Sequence, residues 1–122
     1  MAPTKSMHMK ETQDAYIEQA WARVDEIRLM QHDVEEKLKA VPDVIKEDLA
    51  ACNVNIKMFI NLAEVEVDMV EHADENQWIE MRPQADSAIG VAQRELERAH
   101  EIMNNPYAYL RSPDNFPRKG ID

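Results

Sequence analysis

Glycine is nearly missing from this chain, with two in 122 residues. Tight hairpins and phosphate-cradling loops use glycine where the backbone must take positive φ, so a β-rich fold and a glycine-rich nucleotide loop are both disfavoured. The single cysteine, Cys52, excludes an intrachain disulfide and any paired-cysteine metal or redox motif. Basic residues are in deficit, 14 against 24 acidic, for a formal charge of −10. Such a surface repels phosphate backbones and anionic lipid heads, so no nucleic-acid partner is expected. No apolar run approaches the roughly 20 residues that span a bilayer, and no membrane insertion is expected either. Met1 to Lys10 has no apolar stretch of the secretory kind, and a cytoplasmic setting is the expectation. The chain also lacks GxSxG, HExxH and a DxDxDG loop. The expectation is therefore a protein that is not an enzyme and holds no cofactor.

What is present is helical periodicity in a chain 44 % hydrophobic and 31 % charged, a balance that suits one globular domain. Residues 1–9 are polar and contain a proline, so a flexible arm is expected there. Apolar positions then recur at alternating steps of four and three: Ile17, Ala20, Val24, Ile27, Gln31, Val34, Leu38, Val41. That is a heptad seam with one polar member. Val41-Pro42-Asp43 breaks it, because proline lacks an amide donor and pushes its predecessor out of the helical region. A second seam reads Ile45, Leu49, Cys52, Ile56, Phe59, Ala63, Glu66, Val70. Asp74-x-x-Gln77 has the form of a capping box. The third seam is Trp78, Arg82, Ala85, Ile89, Ala92, Leu96, Ala99, Met103, closed by Asn104-Asn105-Pro106. Pro83 interrupts this last pattern. Either it kinks helix 3 or it opens it, and the first is preferred.

These seams predict helices over about 10–40, 43–74 and 75–105. Short connections make neighbours antiparallel, giving an all-α, elongated up-down-up three-helix bundle or antiparallel coiled coil. Residues 106–122 hold three prolines and no helical period, and are expected to form an extended tail. Tyr107, Tyr109, Leu110 and Phe116 would be its apolar anchors.

Two groups of residues stand out as carriers of function. On a helical wheel, apolar residues of the second helix between Met58 and Val70 cover an arc of about 220°, where one neighbour needs only about 100°. Glu66 falls near the centre of that arc. It must be partnered, protonated or placed at an interface, and Tyr16, Gln19 and Gln84 are at the right level to bond it. Met58, Leu62, Val65, Glu66 and Met69, with Tyr107, Tyr109 and Phe116 of the tail, are the expected partner contacts. The second group follows from the hairpin register. Folding about residues 42 and 75 brings His32, Cys52 and His100 to one level, with Glu97 nearby, and imidazole, thiolate and carboxylate are zinc-binding groups.

The reading that follows is a non-enzymatic protein–protein interaction protein, a structural or accessory subunit or an adaptor. It would present an apolar and acidic helical face and an aromatic tail to another protein, in a homodimer or a hetero-complex. The alternative is a metal-binding helical bundle or metalloenzyme built on His32, Cys52, His100 and Glu97.

Overall fold

A computed structural model describes residues 4–106, with side chains from residue 12 onward. The chain forms three helices, α1 (Thr4–Lys37), α2 (Asp43–Glu71) and α3 (Trp78–Asn104), and no strand among the described residues. They pack into an all-α three-helix bundle in which α2 lies most extensively against α3. The N-terminal boundary differs from expectation. Helix α1 already runs from Thr4, where an arm was expected to residue 9. The polar residues after Pro3 carry no core signal, but lysine, methionine and glutamate propagate a helix well without one.

The breaks follow local chemistry. Pro42 precedes α2 with extended dihedrals, φ −58° and ψ 145°, and its carbonyl accepts the Ile45 amide at 3.1 Å. At the second break the Asp74 carboxylate accepts the amides of Asn76 at 3.0 Å and Gln77 at 2.8 Å. Asp74 thus closes a turn over 75–77 and is not the cap of the helix as expected; the N-cap of α3 is Gln77, which makes no side-chain cap bond. Regular α3 starts after that turn, at Trp78. Pro83 lies inside α3, on an exposed face. One backbone bond is lost there, at a position where solvent can reach the freed carbonyl.

Burial of α1 follows its heptads closely. Ile17, Ala20, Val24, Ile27, Gln31 and Val34 are buried, and Leu38 and Val41 pack at the margin. The second half of α2 does not. Ile60 and Val67 are in the core, where the heptad frame had placed Phe59 and Glu66. The physical cause is drift. A straight helix turns 3.6 residues per turn, so a strict seven-residue frame slips about 20° per heptad. Ile45, Ile56 and Val67 recur instead at eleven residues, and that spacing tracks the buried side of α2 to its end. In α3 the frame slips similarly at both ends. Arg82 is exposed, and Ile102 is buried where Met103 was expected.

Among the described residues three polar side chains, Gln13, Gln31 and Asn53, are buried, and each has its partners. The Gln13 side-chain amide donates to the carbonyls of Val70 and Ala73, both at 3.0 Å. These lie at the C-terminal end of α2, where the helix leaves carbonyls unpaired. Gln31 donates to Asn53 Oδ1 at 2.9 Å and to Glu35 Oε1 at 3.0 Å, tying α1 to α2. Trp78 is the exception, fully buried with its indole N–H unbonded. Its ring lies 5.9 Å from that of Tyr16, over which Arg82 stacks at 5.0 Å.

The corrected frame has a direct test. Ile56→Asp and Val67→Asp each place an unpaired charge in a fully buried site and should cost more than about 4 kcal/mol, unfolding the domain. Glu66→Leu, one residue from Val67, should change monomer stability by no more than about 0.5 kcal/mol. Urea melts followed by circular dichroism read all three.

Candidate functional site

Cys52 points from α2 towards α3. Its thiol meets the side chains of Glu95 and Arg98, and Glu95 also accepts a hydrogen bond from Asn55 at 3.2 Å. Burial, then the Glu95 carboxylate, push the thiol up from 9.0 to about 12. A thiol so placed is a poor nucleophile and a poor metal ligand at neutral pH.

The histidines stand elsewhere. His32 lies in the groove between α1 and α2 with Arg28, Glu35 and Lys57. His100 lies in the groove between α1 and α3, beside Glu97, Arg23 and Met30. The expected common level of His32, Cys52 and His100 therefore does not become a common site. No group of three or more His, Cys, Asp or Glu able to hold a metal occurs among the described residues. The reason is rotational. His32 and His100 each follow a buried seam residue, Gln31 and Ala99, by one position. One position is about 100° of helix, enough to turn each imidazole into a different groove.

Glu66 has a different setting from a core carboxylate. It is half-buried on the wall of a groove between α2 and α3, with Phe59, Leu62, Gln84, Ser87, Ala88 and Val91. The groove is open and holds about 360 Å³. Gln84 is indeed at its level, as the fold about residue 75 requires, and Asn55 with Glu95 fixes the same register. Tyr16 is not a partner for Glu66. Its hydroxyl donates to Asp86 at 2.7 Å, and burial together with that carboxylate raises the phenol well above its ordinary range.

Beside this groove runs the most distinctive surface of the molecule. Met58, Leu62, Val65 and Met69 are all exposed, and Val54 extends their row by one turn. Each residue of the row is between 46 % and 62 % exposed. Their steps of four, four, three and four residues put them in one stripe along α2. The 220° arc thus resolves into two parts. The core side faces α1 and α3, and the rest faces outward.

The flank towards α1 is charged. Arg28 pairs with Glu64, Lys57 with Glu35 at 3.5 Å, and Trp21 donates to Glu71 at 2.9 Å. Val54 and the α3 residues Ser87 and Val91 were not foreseen as part of this face. Val54 was within reach, since it precedes Met58 by four residues. Tyr107, Tyr109 and Phe116, with the rest of the expected tail beyond residue 106, lie outside the described residues. No helix among the described residues is long and apolar enough to cross a membrane. Comparison of the chain with protein-family models, with curated proteins and with solved structures found no match.

The thiol's setting makes stability depend on alkaline pH. A group whose folded pKa is raised favours the fold while protonated in both states. That advantage is complete below its unfolded value and is lost as pH rises through the folded one. For Cys52 the window runs from 9.0 to about 12. Wild type should therefore lose more stability than Cys52→Ala between pH 8.5 and pH 11, about, as read by urea melts. In the native protein at pH 8 the thiol should resist a disulfide reagent that labels it at once in denaturant.

Proposed function

We propose that the chain is a non-enzymatic protein–protein interaction module whose working surface is the outward face of α2 and its α3 border. The observation that carries this reading is the exposed row Val54, Met58, Leu62, Val65 and Met69. Scattered exposed apolar residues are ordinary, but a continuous stripe at helical spacing leaves a face to be covered. Two of its members are methionines, which adapt to the shape of a partner at low cost. Glu66 supplies one polar contact at the edge of that stripe, where it can set register. The tail residues Tyr107, Tyr109 and Phe116 offer further anchors on a proline-stiffened segment, an arrangement that loses little entropy on binding.

The test is a pair of variants. Met58→Asp combined with Met69→Asp should leave the helical signal intact, because both sites are exposed, and should remove the proteins captured by wild type from the source cells' lysate. Capture unchanged by the double variant would overturn this surface as the point of contact. Truncation after Asn105 should leave the bundle folded and weaken capture. A loss of helical signal on truncation would place the tail in the core instead.

A further inference from the structure

The stripe on α2 has a symmetry that its role as a contact face does not require. Its end members Val54 and Met69 are equidistant from a point half a residue before Leu62, and so are Met58 and Val65. Turning a second α2 antiparallel about that point sets Val54 against Met69, Met58 against Val65, and Leu62 against its own copy. The packing is then apolar along its whole length, as a two-fold interface requires of a self-complementary patch.

The charges beside the stripe obey the same symmetry. On the α3 border, Ser87, Val91 and Arg94 follow one another at steps of four and three, so Arg94 continues the wall that Ser87 and Val91 form. The register fixed by Asn55 and Glu95 puts Arg94 at the level of residue 56 of α2. The two-fold turn carries that level to residue 67, next to Glu66. Each Glu66 therefore meets Arg94 of the second copy. On the opposite border, Lys57 is carried to the level of residue 66, two residues from Asp68, and both are exposed. Four opposite-charge contacts form across the axis, in a chain whose formal charge of −10 would otherwise drive two copies apart.

We propose that the α2 stripe is the seam of a homodimer, in which two copies pair antiparallel about an axis near Leu62 and each Glu66 faces the other copy's Arg94. The proposal rests on the interaction reading of this face and names its occupant. The stripe is about 22 Å long, and α2 with α3 presents a width of about 20 Å. Roughly 900 Å² is then buried in total, short of a standard specific interface and in the range of weak, transient contacts, so dissociation in the upper micromolar range is expected.

Light scattering on the full chain from 1 to 300 µM, about, reads the mass directly. The expected result is a rise from 14.1 kDa towards twice that value. Leu62→Asp should hold the chain at the monomer mass with its helical signal unchanged. Glu66→Arg and Arg94→Glu should each weaken association about tenfold, and the two together should restore it to within about threefold of wild type.

A wild-type mass that stays at 14.1 kDa overturns the proposal. So does a double variant no better than the singles, because only the antiparallel pairing joins these two residues. If the homodimer fails while the Met58→Asp, Met69→Asp variant still loses a captured protein, the interaction reading stands with a foreign occupant. If neither holds, both readings fall.

Discussion

The buried side of α2 is the constraint on which the bundle depends. Ile45, Leu49, Cys52, Ile56, Ile60, Ala63, Val67 and Val70 form one continuous apolar ridge. Helices α1 and α3 have fewer contacts with each other than either has with α2. Because the ridge follows the natural pitch of a straight helix, α2 has no need to supercoil to keep it facing inward. The small residues of α3, Ala85, Ala88, Ala92 and Ala99, let that helix approach α2 closely. Among the described residues, the outer side of α2 then lies against neither α1 nor α3. The stripe is thus a consequence of how the core is built as well as a candidate working surface.

Polar chemistry fixes what apolar burial leaves free. A ridge of similar aliphatic residues tolerates sliding by a turn, whereas hydrogen bonds do not. Gln31 with Asn53 holds α1 against α2 midway, and Gln13 closes the far end of α2. Asn55 with Glu95 does the same between α2 and α3, and Tyr16 with Asp86 between α1 and α3. Each pair joins a different level or a different pair of helices. A shift of one helix by a turn would break at least one of these bonds.

Much of this was legible in the residues. The α1 seam could be read directly because its apolar positions obey heptads and its other faces are charged, so only one frame fits. The hairpin registers followed from Pro42 and from Asp74 and Gln77. In α2 the frame was ambiguous. Phe59 stands beside Ile60, and Glu66 between Val65 and Val67, so apolar residues occupy both possible frames. Only the pitch of the packed helix decides for Ile60 and Val67. The same wide arc hid which half was the core and which the stripe. Met58, Leu62, Val65 and Met69 could be named from spacing within one helix. The parts of the face contributed by α3, Ser87, Val91 and Arg94, depend on rotation about two axes at once, and spacing along a single helix does not carry that. The levels of His32, Cys52 and His100 were readable for the same reason that their directions were not.

The two tryptophans occupy opposite kinds of surroundings. Trp21 is half-buried at the edge of the bundle and gives its N–H to a carboxylate in contact with water. Trp78 lies sealed in the core, in contact with the ring of Tyr16 and with no acceptor for its own N–H. An indole without a hydrogen bond and without mobile dipoles around it emits at short wavelength, and one that meets water emits further to the red. The bundle therefore carries two intrinsic optical reporters that separate by colour. One watches the junction of α1, α2 and α3 at the end where the second turn lies, and the other watches the solvent boundary between α1 and the end of α2.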